Sequence, residues 1–296
     1  MADTKFPLNT GASIPALGLG TWQSDPGEVT KAVSYALSIG YKHIDAAYCY
    51  GNEDEVGAGL KEAFANGVKR EDIFVTTKLW CTYQSRVELN LDMSLKSLGL
   101  DYVDLYLMHW PVAMNPNGSS SSLACLYFHL STLSQMLTWE TIGNHEKFPK
   151  LPDGSRDLVK DWTHIQTWKL MEKLLATGKV KAIGVANYSV RYLEQLLPHA
   201  TIIPAVNQIE NHPSLPQQDI VDFCKAKGIH ITAYSPLGSS GSPMLKEKPI
   251  VEVAEKRGVT PASVLLSYHS EWFCCIETLD TNGNSCERKF CPCEIG

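Results

Sequence analysis

Two hydrophobic periods take turns along this chain. Short, almost wholly apolar runs alternate with segments in which apolar residues recur every three or four positions. ALGLGT (16–21) reads as a strand, and GEVTKAVSYALSIG as a helix with Val29, Val33, Ala36 and Leu37 on one face and Gly40 as its stop. HIDAA (43–47) is the next strand, followed by the helix EDEVGAGLKEAFANG with the stripe Val56, Leu60, Ala63 and Phe64. IFVTTK (73–78) precedes a helix carrying Val87, Leu91, Leu95 and Leu98, and VDLYLMH (103–109) is a fourth strand. Further on, the helix WTHIQTWKLMEKLLATG leads to KVKAIGV (179–185), SVRYLEQLL to AVNQIE (205–210), and QQDIVDFCKAKG to IHITAYS (229–235). The amphipathic stretches IVEVAEKRGV and PASVLLSYH follow.

Strands this apolar are buried on both faces, which is the habit of parallel strands covered by helices. The expected class is α/β, and the expected architecture a (β/α)8 TIM barrel, because closure leaves no exposed strand edge. An open doubly wound sheet is the runner-up. It needs a glycine-rich phosphate loop after its first strand, and GLGTWQ has a G-x-G without the third glycine.

Composition narrows the class. With 296 residues, 44% hydrophobic and 20% charged, the chain suits one large domain, here taken as 1–296. A net charge of -6 and no Lys/Arg run longer than two argue against nucleic acid or a polybasic membrane anchor as partner. MADTKFPLNTG lacks the apolar core of a signal peptide. SLACLYFHLSTLSQML is interrupted by Ser and His and falls short of the roughly 20 residues a bilayer requires. A cytoplasmic location is expected. Nine cysteines, an odd number without an export signal, point to free thiols, and the crowded set Cys274, Cys275, Cys286, Cys291 and Cys293 fits no standard zinc spacing. No metal is expected.

In such a barrel, chemistry gathers at the carboxyl ends of the strands. Those ends supply Thr21 and Trp22, Asp45 and Tyr50, Lys78 and Trp80, His109 and Trp110, then Asn187, Gln208, Tyr234 and Ser235. Four successive ends thus bring a carboxylate, a phenol, an amine and an imidazole to one mouth. The set is short of metal ligands and lacks a nucleophile elbow. A phenol titrates near 10, so it is a sluggish acid at neutral pH unless an ammonium lies beside it. On this reading Asp45 keeps Lys78 charged, Lys78 lowers the Tyr50 pKa, and His109 orients a substrate carbonyl that Tyr50 protonates.

GLGTWQ, HIDAAYCYGNEDEVG, VTTKLW, YLMHWP, KAIGVANYS, AVNQIENHPS and ITAYSPLGS closely resemble the aldo-keto reductases of the aldehyde-reducing type. The resemblance spans about residues 5–118 and 144–269 and implies hydride transfer from NADPH (NADP+) to a small-molecule carbonyl, in a monomer. By position, Tyr50 matches the general acid, Lys78 and Asp45 the groups that tune it, and His109 the carbonyl-orienting imidazole. Asn187 and Gln208 match the residues that hold the nicotinamide carboxamide, and Tyr234 the ring stacked on nicotinamide. Ser235, Leu237 and Ser239 match pyrophosphate and ribose contacts, and Thr21 is grouped with the cofactor site. Trp22, Trp80 and Trp110 would wall the substrate pocket together with His109. Ala186 stands where many relatives carry serine.

Two stretches depart from the family. Residues 119–143, SSSSLACLYFHLSTLSQMLTWETIG, interrupt the chain after the fourth strand; their composition is that of translated non-coding sequence, with a specificity loop as the alternative. After LLSYH (265–269) the family continues into an eighth strand, a K-S-x-x-x-x-R clamp for the 2′-phosphate and a final helix. This chain reads SEWFCCIETLDTNGNSCERKFCPCEIG instead. The eighth strand and C-terminal helix are therefore expected to be incomplete, with FCCIETL (273–279) the candidate for the strand's place. The functional expectation is an NADP-dependent reductase of aldehydes and ketones. The alternatives are a catalytically impaired, reductase-like binding subunit and an aberrant truncated product.

Overall fold

A computed structural model describes residues 4–24, 27–116, 146–238, 242–269 and 274–278. Eight parallel strands close into a barrel: β3 (Leu17–Gly20), β4 (His43–Asp45), β5 (Phe74–Leu79), β6 (Val103–Met108), β7 (Val180–Ala186), β8 (Val206–Glu210), β9 (His230–Tyr234) and β10 (Cys274–Thr278). Helices α1 (Val29–Ser38), α2 (Glu53–Ala65), α3 (Val87–Leu98), α4 (His164–Leu174), α5 (Val190–Leu196) and α6 (Gln218–Ala226) follow successive strands, and α7 (Lys248–Arg257) and α8 (Pro261–Ser267) follow β9. The alternation read from the sequence is thus the alternation in space.

The expected incomplete eighth strand is corrected. β10 pairs with β9 through Cys274↔Thr232, Cys275↔Ala233 and Ile276↔Tyr234, and with β3 through Cys275↔Leu17 to Thr278↔Gly20. Its unfamiliar sequence serves because the edges of β9 and β3 need only an extended backbone to pair with, and Cys275 and Ile276 supply the buried apolar side chains. Ile276 is 2% exposed, and Gly18 opposite it has no room for a side chain: a Cβ there would lie 2.7 Å from the Ile276 methyl and 2.7 Å from His43 Nδ1. The insertion at 119–143, Ser239 and the place of a C-terminal helix lie outside the described residues.

Local signals explain the helices. α4 begins in a capping box, Thr163 accepting from the Gln166 N–H while the Gln166 side chain accepts from the Thr163 N–H. α3 stops at Gly99 in a left-handed conformation. α2 lies against both neighbours because Gly57 and Gly59 let backbones touch: a Cβ on Gly57 would be 2.5 Å from Ser97 O, and one on Gly59 2.7 Å from Thr30 O.

An element not read from the sequence plugs the barrel floor. β1 (Lys5–Pro7) and β2 (Ser13–Pro15) form an antiparallel hairpin. Its Leu8 and Ile14 join Phe74, Leu105, Leu107, Val206 and Ile276 in the interior cluster. A second apolar layer lies between strands and helices, from Leu19 and Val33 through Leu91 and Trp168 to Leu265. Among the described residues, no helix is long and apolar enough to cross a membrane, and no group of three His, Cys, Asp or Glu could hold a metal.

Ile276→Ala removes the interior anchor of the closing strand. The expected loss is about 2–5 kcal/mol of unfolding free energy, read from the urea midpoint. A loss under about 1 kcal/mol would mean that β10 does not hold the barrel shut.

His43, wholly buried on β4 with Nε2 2.9 Å from Thr76 Oγ1, has its pKa lowered to about 4, chiefly by burial. Between pH 6.5 and 4 the unfolded chain takes up a proton that the folded chain refuses. Stability present above pH 6.5 is therefore lost as pH falls, by roughly 3 kcal/mol from this group. Unfolding curves across that range should show a shallower decline for His43→Gln than for the unaltered chain; parallel declines would contradict the assignment.

Candidate active site

The registers of the barrel set the site. Gly20 pairs with Asp45, Asp45 with Thr76, and Lys78 with Leu107, so the carboxyl ends of β3 to β6 meet at one mouth. Asp45 and Lys78 point into a region without water access, at 2% and 0% exposure. An ammonium there needs three acceptors for its three N–H bonds. It has them: the Asp45 Oδ1 carboxylate, Ala46 O at 3.0 Å and the Tyr50 hydroxyl at 3.2 Å. The other Asp45 oxygen accepts from Gln208 Nε2 at 2.8 Å, across the barrel on β8. Every strong polar atom of the pair is satisfied.

Tyr50 sits in a short 3₁₀ turn, residues 48–50, that ends at Gly51 in a left-handed conformation. That turn folds the phenol back over Lys78, whose Nζ is 5.0 Å from the ring centroid. The Trp22 ring lies 4.8 Å from the Tyr50 ring, and the His109 ring meets it edge-on at 5.8 Å. Trp80, buried, meets His109 edge-on at 5.3 Å and donates its indole N–H to Lys147 O at 2.5 Å. Trp110 is 42% exposed, and no ring of the described residues stacks on it. Two of the three expected tryptophans thus belong to the cluster, and the third flanks it.

The electrostatics correct one expectation. Lys78 was expected to make the phenol more acidic. Burial instead pushes the Tyr50 hydroxyl well above its ordinary value near 10, and the Asp45 charge pushes the same way. Burial is the larger cause, and an ammonium in contact with a carboxylate leaves little net field to offset it. His109 is held well below 6.5 by burial and then by Lys78, so it is a neutral imidazole. The mouth therefore offers a protonated phenol and a neutral ring, two hydrogen-bond donors with no charge to neutralise.

The sequence reading missed Cys49. Its Sγ lies 3.5 Å from His109 Nδ1, and burial pushes its thiol up to about 12. The one signal was its place between two tyrosines of the strand-end loop. Cys81 and Cys224 are also free and buried, and Cys275 is buried.

The far side of the mouth holds the expected cofactor residues. Asn187 Nδ2 donates to His109 O and its Oδ1 accepts from the Tyr234 hydroxyl, each at 2.9 Å. Asn187 and Ser235 are non-glycine residues in the left-handed region, at φ 61° and 52°, the kind of backbone strain found where a ligand is gripped. Thr21 donates to Asp45 O at 3.1 Å, so it ties β3 to β4 beneath the site. Leu237 is buried in the turn after β9, where Gly238 N–H donates to Ser235 O at 2.9 Å.

The donor set fits a nicotinamide. Asn187 and Gln208 each keep an amide N–H and a carbonyl lone pair beyond the bonds named, which suits a carboxamide, and Tyr234 offers a half-buried ring beside them.

The family model for the aldo/keto reductase family matches residues 16–271. The chain belongs to the aldo/keto reductase family. It is 65% identical over 269 residues to a D-galacturonate reductase of Hypocrea jecorina, covering 91% of this chain and 79% of that one. It is 48% identical over 265 residues to the glycerol 2-dehydrogenase (NADP(+)) of Saccharomyces cerevisiae, covering 88% and 77%. The aldose reductase of Schistosoma japonicum superposes with a TM-score of 0.80 at 37% identity, over 93% of this chain and 82% of that structure. This aldo/keto reductase is accordingly an oxidoreductase that reduces aldehydes and ketones with a nicotinamide cofactor. The alternative of a reductase-shaped binding subunit gains no support from them.

Lys78→Met would leave Asp45 buried with its Gln208 bond alone. The expected cost is about 3–5 kcal/mol in urea unfolding, and adding Asp45→Leu to the same chain should restore most of it. If the single change proved neutral, the pair would not be the buried contact described.

Proposed function

We propose that this aldo/keto reductase reduces small aldehydes with NADPH, with Tyr50 as the proton donor. The observation that carries the reading is the Tyr50 hydroxyl 3.2 Å from Lys78 Nζ, with the His109 ring facing the same phenol. When bound, a reduced nicotinamide supplies the hydride that adds to the carbonyl carbon. Asn187 and Gln208 would hold its carboxamide, Tyr234 its ring, and Ser235 and Leu237, with Ser239 by family resemblance alone, its phosphate and ribose portion. The yeast relative, a glycerol 2-dehydrogenase (NADP(+)), supports NADPH over NADH.

The chain's own residues then act on the carbonyl oxygen. We assign the tautomer in which the protonated Cys49 thiol, 3.5 Å away, donates to His109 Nδ1 and the ring's N–H lies at Nε2. That N–H and the Tyr50 hydroxyl converge on the oxygen that gains negative charge. Donors aimed at developing charge in a dry site lower the barrier. As the oxygen becomes an alkoxide, the Tyr50 proton passes to it, and the phenolate that forms is met by Lys78. The Lys78 ammonium thus acts on the proton's departure rather than on the resting phenol. Trp22, Trp80 and Trp110 shape the pocket and exclude water. The enzyme works as a monomeric single-domain barrel, residues 1–296, in the cytoplasm.

Tyr50→Phe should lower kcat by about 10²–10⁴ with a reactive aldehyde, the usual yield of one positioned general acid. NADPH affinity, measured by fluorescence titration, should stay within threefold. Equal turnover of the two proteins would remove Tyr50 from the proton-donor role.

A further inference from the structure

The mouth carries a cation that the reduction itself does not use. Lys147 is half-buried, and its backbone is pinned to the pocket wall by the Trp80 indole. Its ammonium lies 5.5 Å from the Tyr48 ring centroid and fills the space above Gly51, where a Cβ would come within 2.8 Å of Nζ. Gly51 directly follows Tyr50. The glycine therefore makes room for a charge immediately beside the proposed proton donor.

Among the described residues, no carboxylate pairs with Lys147. The contrast within the chain is informative. Lys78, Arg70, Lys179 and Lys181 each meet an acid within 3.1 Å, in a protein whose net charge is -6. A second cation without a carboxylate partner, Arg156, lies over the Phe148 ring at 4.9 Å. Phe148 in turn meets Trp80 edge-on at 5.2 Å. One aromatic wall of the pocket is thus flanked by two positive charges that no described carboxylate contacts. Partly desolvating an ammonium is unfavourable unless an anion meets it, and among the described residues no anion is in contact with this one.

We infer that the carbonyl substrate of this enzyme carries a carboxylate, which Lys147 binds at the mouth while Arg156 adds to the attracting field. An acid held there is anchored beside Tyr50 without occupying the donors that must meet the carbonyl oxygen. Uronic acids and short aldehydo-acids have this chemistry. The inference rests on the assignment of Tyr50 and His109 as the carbonyl site.

Succinic semialdehyde and its methyl ester differ in the charge and little else, so they isolate the effect. In steady state, the unaltered enzyme should show the lower KM for the acid. Lys147→Met should raise that KM about tenfold, while the ester's KM moves less than twofold and kcat for both holds. Lys147→Arg, which keeps the charge, should retain the preference for the acid. Equal effects on acid and ester, or none on either, would overturn the inference. So would a tenfold weakening of NADPH binding in Lys147→Met, which would assign the lysine to the cofactor phosphates. If neither compound turned over, the carbonyl assignment would fall, and tryptophan fluorescence titration with the semialdehyde would still decide the subsite: binding weakened by Lys147→Met supports it, and binding indifferent to the change overturns it.

Discussion

A lysine with no exposed surface is the constraint on which the site depends. Lys78 cannot shed its charge onto water, so its three N–H bonds must be met by the protein, and they are met by Asp45, Ala46 O and Tyr50. Each partner fixes something else. Asp45 needs a second donor and takes it from Gln208 on the opposite strand, which ties β4 and β5 to β8 through the barrel interior. Tyr50 must place its hydroxyl within reach, which requires the 3₁₀ turn and the left-handed Gly51. The geometry of the mouth follows from satisfying one buried ammonium.

That dependence also explains why the phenol is not acidic at rest. A contact ion pair has a weak field beyond its partners, and the dry surroundings then govern the Tyr50 proton. Reading Asp45, Tyr50 and Lys78 along the chain brought out their adjacency but not the strength with which the Asp45 and Lys78 charges cancel. The sign of this pKa shift is set first by burial, and no sequence spacing carries the dryness of the site.

Much of the fold was legible because parallel strands buried on both faces leave near-continuous apolar runs, as in FVTTKL and VDLYLM. Strand-end chemistry was legible for the same reason, since Asp45, Lys78 and His109 stand out against such runs. The hairpin at Lys5–Pro7 and Ser13–Pro15 was not, because three-residue strands with proline have no period to detect. β10 was read only as a candidate, because CCIET lacks a pattern and closure is decided by what the neighbouring edges need. Cys49 entered only as one of nine cysteines; its contact with His109 spans 60 residues and exists only once the barrel is closed.

Closure and chemistry are coupled through the same strand. Ile276 of β10 sits opposite Tyr234, the last residue of β9 and the ring proposed to face the nicotinamide. Tyr234 in turn holds Asn187, and Asn187 holds the backbone of His109. A chain of three contacts therefore runs from the closing strand to the imidazole at the carbonyl site. Were β10 absent, Tyr234 would stand on a free sheet edge, where backbone groups seek water or another chain. Its ring would lose the flank that orients it, and His109 would lose a tether on the side away from Cys49. The unusual residues Cys274–Thr278 thus act at a distance from the reaction they support, by keeping one tyrosine on a paired strand.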